Sequence, residues 1–168
     1  MTTSSEKYRQ HGPYHWWWYK NKPTYTYYVD KVKAWIKESN VLDVGAGDGL
    51  IVHILGIKGI DNVPHAVELA QRRGANVILG DAHNLPFKDE EFESVFMGNT
   101  LEHLENPNEA IKETRRILRK YLYLVVAVKE GTFIITPDEL KEMVENEGFV
   151  LNEISIENKA IWGKFKKI

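Results

Sequence analysis

The stretch VLDVGAGDG, residues 41–49, decides how the rest of the chain is read. Val41, Leu42, Asp43 and Val44 run straight into a turn with glycine at every second position: Gly45, Gly47 and Gly49. The apolar, β-branched run predicts a buried strand. Alternating glycines strip a turn of side chains, so something can approach its backbone closely. A nucleotide phosphate, a different cofactor or another piece of the chain would each meet that description.

Downstream of the turn, strand-like and helix-like segments alternate. LIVHIL (50–55) reads as a short helix and IKGID (57–61) as a second strand. Asn62-Val63-Pro64 offers an N-cap with proline near the first helical position. The helix that follows, HAVELAQRRG, stops at Gly74, with Arg72 and Arg73 where cations suit the helix dipole. NVILGD (76–81) and ESVFMGN (93–99) are the third and fourth strands. PNEAIKETRRILRK (107–120) puts Ala110, Thr114, Ile117 and Leu118 on one face of an amphipathic helix. YLYLVVAVK (121–129) is apolar enough for a central strand, and TPDELKEMVENEG (136–148) is a capped helix that buries Leu140, Met143 and Val144. Residues 149–168 divide into two strands around a polar turn at Glu157-Asn158-Lys159.

Alternating strands and helices imply right-handed βαβ units. The predicted fold is therefore α/β: a doubly wound, Rossmann-like, mostly parallel sheet with helices on both faces and an antiparallel C-terminal hairpin. The length, 168 residues, suits a single domain over 1–168. Within it, residues 1–39 stand apart as an aromatic arm and 40–168 form the core. Hydrophobic residues at 43% and charged residues at 27% match a soluble globular chain. A net charge of -2 leaves no electrostatic footprint for nucleic acid or an anionic membrane. Without cysteine there are no disulfides and no thiolate chemistry. The polar MTTSSEKYRQHG start lacks a signal core, and no run approaches the roughly 18–20 apolar residues of a membrane span, so the expected setting is cytoplasmic.

In a doubly wound sheet the ligand lies at the carboxyl ends of the strands where their order reverses, which is where Gly45–Gly49 falls. A dinucleotide fingerprint needs its third glycine five positions after the first. Leu50 occupies that position, and no lysine follows as a phosphate-binding Walker loop would require. Asp43, Asp61 and Asp81 close three successive strands, and such a set repels pyrophosphate while suiting hydroxyls, amines and positive charge. Each acid could instead merely cap the element that follows it. The scattered histidines show no metal-ligand spacing, so no metal is expected.

These residues resemble motif I of the class I S-adenosylmethionine-dependent methyltransferases, an acid followed by G-x-G-x-G. The likeness continues through GIDNVPHAVELAQRRG, NVILGDAHNLPFKDEEFESVF and MGNTLEHLENP, and covers roughly residues 40–150. It implies that Gly45, Ala46, Gly47 and Gly49 line the cofactor and that Asp43 sits near its amino group. It further implies that Asp61, with Asn62 beside it, accepts the ribose hydroxyls. Asp81 and Ala82 would then meet the adenine, and Asn99 would turn its carbonyl to the methionyl amine. S-adenosylhomocysteine would be the product. The chain departs from the family in its short span from Gly49 to Asp61, which demands a short first helix. It also has Leu118-Arg119-Lys120-Tyr121 where the family carries a glycine turn.

The arm, HGPYHWWWYKNKPTYTYY (11–28), resembles the HWWF-type segment preceding the core of some methyltransferases associated with sugars and glycans. Three consecutive tryptophans cannot all face one apolar surface, so Tyr14, His15, Trp16, Trp17, Trp18 and Tyr19 are candidates for a lid or substrate wall. Aromatic faces would stabilise a sulfonium through cation–π attraction. The same rings could equally pack on the sheet, serve a homo-oligomer interface or stack single-stranded nucleic acid. His103, just past the fourth strand with Glu102 beside it, is the candidate general base, since imidazole titrates near about pH 6.5. His15 is second to it; His53 and His65 read as helix residues. The expected activity is methyl transfer to a small-molecule acceptor. An S-adenosylmethionine-binding module without independent activity that acts with a partner, a nicotinamide oxidoreductase and an RNA methyltransferase are the competing readings, nucleic acid being disfavoured by charge and by GNTLEHL in place of an N/D-P-P-Y signature.

Overall fold

A computed structural model describes residues 4–128 and 135–168. Strand β1 (Val41–Val44) is an inner strand of the sheet with all its residues buried. Helix α1 (Ser4–His11), α2 (Tyr14–Asn21) and α3 (Pro23–Trp35) precede it. After it come α4 (Leu50–Leu55), β2 (Lys58–Asp61), α5 (Pro64–Arg72), β3 (Val77–Leu79) and β4 (Phe92–Gly98). A single 3-10 turn (Leu101–His103) leads into α6 (Pro107–Ile117), β5 (Leu118–Ala127), α7 (Pro137–Asn146), β6 (Phe149–Glu157) and β7 (Ala160–Lys167).

The sheet order is β3-β2-β1-β4-β5-β7-β6. The first five strands pair in parallel, and β7 pairs antiparallel with both β5 and β6. The order reverses between β1 and β4, which opens a crevice at their carboxyl ends. Asn158 and Lys159 both take positive φ (49° and 64°) and close the predicted C-terminal hairpin in the manner of a primed turn.

Pleating sends successive residues to opposite faces, and each face has its own core. Leu42, Val44, Val95, Met97, Leu122 and Leu124 face α6 and α7; Val41, Phe96, Tyr123 and Val125 face α3, α4 and α5. Val29, Val32 and Ile36 are buried in that second core, so the C-terminal part of the aromatic segment is built into the sheet packing. The shortened first helix is real: α4 has six residues and ends at Gly56 with φ 66°.

Several boundaries differ from the sequence reading. The helix predicted over 107–120 ends at Ile117, because Leu118 is fully buried and pairs with Phe92 of β4. Helix thus passes directly into strand at the place where the family's glycine turn is missing. Asn62 does not cap α5: the cap position is Val63, without a side-chain cap, and Asp61 Oδ1 accepts from the Val63 amide instead. Thr136 does form the expected N-cap, and Glu139 reaches back to complete a capping box. Lys129, the end of the strand predicted over 121–129, lies outside the described residues, as do the first three residues of the polar N-terminus.

Candidate active site

The glycine turn is anchored by its own chain. Gly45 and Ala46 donate to the Ile60 carbonyl at 2.8 and 3.0 Å, and Gly47 donates to Asp61 Oδ2 at 2.8 Å. A phosphate site needs such amides aimed at the ligand, and these three are committed to β2 and its terminal acid. All three glycines take positive φ, of 80°, 54° and 75°. A β-carbon at Gly45 would collide with Thr100, and one at Gly47 with the Tyr8 hydroxyl. At Gly49 it would come within 2.6 and 2.8 Å of the Ala75 and Ala70 methyls, where helix α5 crosses the sheet. The chain itself therefore occupies much of the space the glycines leave.

A cavity of about 510 Å³ opens beside this turn at the carboxyl ends of β1, β2 and β4. Asp43, Gly45, Ala46, Asp61, Asn62, Ala82, Asn99 and His103 border it, as do Tyr14, His15 and Trp18. Gly47, Gly49 and Asp81 do not, nor do Trp16, Trp17 and Tyr19. Gly47 and Gly49 are turned toward Tyr8 and α5, as their packing requires. Asp81 stands two residues beyond β3, exposed, accepting from the His83 amide at 3.0 Å and lying 2.7 Å from His83 Nδ1. That amide and ring hold its carboxyl below the usual carboxylate range.

Two acids face the cavity under different constraints. Asp43 is 3% exposed, and burial, then the neighbouring Asp61, pushes its carboxyl up from 3.8 to about 8. Burial also raises Asp61, opposed by the hydrogen bonds from Val63 and Gly47. A third acid, fully buried Asp48, ties the arm to the glycine turn. Its Oδ2 accepts from the His15 amide at 3.0 Å, its Oδ1 lies 3.1 Å from His15 Nδ1, and its carbonyl accepts from Trp16 Nε1 at 2.8 Å.

The arm divides its tryptophans as their spacing demands. Trp16 packs inward against the second core and His53, Trp17 is 58% exposed, and Trp18 borders the cavity. Around the cavity the rings form a continuous chain. Tyr8 stacks on Tyr14 at 4.9 Å, Tyr14 meets His15 at 4.2 Å, and Tyr25 stacks on His15 at 5.7 Å. Tyr28 then joins Tyr25 at 5.4 Å. Burial raises the phenol groups of Tyr8, Tyr14, Tyr25 and Tyr28, so these four rings stay neutral. Sequence reasoning missed Tyr8, Tyr25, Tyr28, Asp48 and Thr100. The i,i+3 spacing of Tyr25 and Tyr28 could have placed that pair on one face; nothing marked Tyr8.

Asn99 follows β4 with φ 52°, a conformation asparagine tolerates, and its amide donates to the Val125 carbonyl at 2.7 Å. His103 ends the 3-10 turn, exposed at the cavity edge, while Glu102 beside it is fully buried with Oε1 accepting from the Ala127 amide at 2.9 Å. Glu102 thus spends one oxygen on β5. His53 and His65 are helix residues, the latter 3.3 Å from Glu68. Among the described residues, no group of three or more acids and histidines could hold a metal, and no helix is long and apolar enough to cross a membrane.

A central seven-stranded sheet with a reversed antiparallel edge and an acid-lined crevice beside a glycine turn is the Rossmann-like architecture of class I methyltransferases. Residues 42–126, half the chain, match the methyltransferase domain family, and the chain belongs to that family. An uncharacterised protein of Methanocaldococcus jannaschii is 31% identical over 113 residues, which span 67% of this chain and 55% of that protein. The chain thus covers about half the length of this relative. Demethylmenaquinone methyltransferase of Thermotoga maritima is 25% identical, with 73% of each chain covered. Among solved structures, a SAM-dependent methyltransferase of Thermotoga maritima, described as a possible histamine N-methyltransferase, superposes over 100% of both chains. Its TM-score is 0.83 at 23% identity, a likeness of fold.

Proposed function

We propose that this chain transfers a methyl group from S-adenosylmethionine to a small-molecule acceptor. The observation that carries the reading is the pair of burial-shifted carboxyl groups, Asp43 and Asp61, facing one cavity opposite a wall of aromatic rings. Such a pair offers oxygens to a ligand that brings hydroxyls, a cationic group beside Asp43 would draw its carboxyl into the ionised form, and the committed turn amides disfavour a phosphate. When bound, the cofactor supplies an electrophilic methyl on a sulfonium whose leaving group is a neutral thioether. Asp61 keeps free lone pairs for two ribose hydroxyls while its backbone bonds fix its rotamer. Asp43 and the Asn99 carbonyl would hold the amino group, and Ala82 would border the adenine, with Asp81 reaching in only by turning from His83. Tyr14, Trp18, Tyr25 and Tyr28, which border the cavity, would exclude water and offer rings to the cation. His103, at the cavity edge, would take the acceptor's proton. The named activity of the Thermotoga relative on demethylmenaquinone supports a small-molecule acceptor.

Calorimetric titration with S-adenosylmethionine, S-adenosylhomocysteine and NAD tests the reading. Micromolar binding of the first two with none of NAD is expected. Binding of NAD alone, or of none of the three, would overturn it.

A further inference from the structure

The ligand proposed for the cavity brings an anion as well as a cation, because S-adenosylmethionine ends in an α-amino acid. Asp43 and the Asn99 carbonyl answer its amino group, but both are acceptors and neither can receive the carboxylate beside it. The surroundings make that carboxylate costly to hold. Asp43, Asp48 and Asp61 all border the cavity. The turn amides are already spent, those of Gly45 and Ala46 on the Ile60 carbonyl and that of Gly47 on Asp61. His15 faces Asp48 with both its amide and its ring. An anion taken from water into such a place needs a charged donor.

Among the described residues, Lys7 is the only lysine or arginine on the border of this cavity. It is exposed on α1, and its ammonium pairs with no carboxylate among the described residues. Its neighbour Tyr8 fixes where that charge stands. Tyr8 is buried, stacks on Tyr14 at 4.9 Å, packs with Ala66 and Leu69 of α5, and lays its hydroxyl against Gly47. Helix α1 is thereby pinned beside the glycine turn, and the flexible four-carbon stem of Lys7 carries a compact cation to the cavity. Lys7 also borders a second cavity, between α1, α2 and the end of α5, which no aspartate or glutamate lines. A ligand carboxylate is therefore the anion it stands to gain.

We propose that Lys7 binds the carboxylate at the amino-acid end of the cofactor. The inference rests on the methyltransferase reading given above. Lys7 lies outside residues 42–126, which match the family, so this contact belongs to the arm of this chain. It makes α1 part of the cofactor site and gives the site a preference for ligands that carry the intact amino acid.

The test is calorimetric titration of the full chain near neutral pH with S-adenosylhomocysteine and with its decarboxylated analogue, which keeps the amine, ribose and adenine. The quantity read is the ratio of the two affinities, in which a general disturbance of the site cancels. Lys7→Gln should lower that ratio about tenfold, the scale of one hydrogen bond between charged groups, by weakening S-adenosylhomocysteine alone. Lys7→Arg should keep most of the ratio, since guanidinium also pairs with carboxylate. Lys20→Gln removes a charge that borders the second cavity and not the first, and should leave the ratio as it is. A ratio unchanged by Lys7→Gln, equal weakening of both ligands, or the same fall in Lys20→Gln would overturn the proposal. Binding of S-adenosylhomocysteine alongside any of those results would leave the methyltransferase reading standing. Failure of the unaltered chain to bind either ligand would overturn both.

Discussion

Replacing Asp43 with asparagine should stabilise the ligand-free protein while weakening binding of the proposed cofactor. The carboxyl is 3% exposed and keeps its proton to about pH 8 in the fold, against an ordinary 3.8. Between those values the folded state binds more protons than the unfolded one, so stability falls as pH rises through the window. Below it both states are protonated and above it both are ionised, and the slope vanishes. At pH 7 the span is 7 − 3.8 = 3.2 units, which at about 1.4 kcal/mol per unit sets a ceiling of about 4 kcal/mol. Water entering the cavity relaxes part of this, so about 2 kcal/mol or more is the expected gain for Asp43→Asn at pH 7. Urea denaturation of both proteins without ligand at pH 5, 7 and 8.5 measures it. Any constant cost of burying the amide cancels when one pH is compared with another. The variant's advantage should therefore widen from pH 5 to 8.5, and parallel profiles would refute the reasoning.

Asp61→Ala removes both the acceptor of the Gly47 and Val63 amides and the proposed ribose contact, and should weaken S-adenosylmethionine binding by about 1–3 kcal/mol in calorimetry. Unchanged affinity would remove Asp61 from the site. His103→Ala should lower turnover by about 100-fold with cofactor affinity intact if it takes the acceptor's proton, and an unaltered pH–rate profile would argue against that role. Gly49→Ala should cost about 1–3 kcal/mol in denaturant unfolding, because the added methyl meets Ala75 and Ala70 and φ is 75°.

The fold was legible because hydrophobic period and helix caps agree along most of the chain. Val41–Val44, Pro64 at the start of α5 and the Thr136 capping box each mark an element that the structure contains. The misreading at Leu118 has one cause: helix spacing and strand apolarity overlap there, and pairing with Phe92 decides between them. The border of the candidate site was legible where strand ends and the glycine turn mark it, as at Asp43, Gly45 and Asp61. Its other wall comes from Tyr8, Tyr25 and Tyr28, which local periodicity cannot relate to a turn beginning at residue 45. Gly47 and Gly49 carried a true signal, close approach, whose partner proved to be the chain itself.

Asp48 turns these two walls into one device. Placed between two left-handed glycines, it is buried without strain on its neighbours and reaches the arm with both backbone and side chain. Its carbonyl holds the Trp16 indole while its carboxylate holds the His15 amide, two bonds on consecutive residues of α2. The adjacent residue, Gly47, donates to Asp61. A displacement of Asp61 would therefore be passed through Gly47 and Asp48 to α2, next to the exposed Trp17. Trp16→Phe removes one of those bonds while keeping an aromatic ring, at a cost of about 1 kcal/mol in stability. If the turn and arm move together, that substitution should also slow exchange of the bound cofactor's effect onto Trp17 fluorescence. A variant in which cofactor still shifts Trp17 emission as fast and as far would show that the arm answers to the ligand directly, through Trp18 and Tyr14, rather than through Asp48.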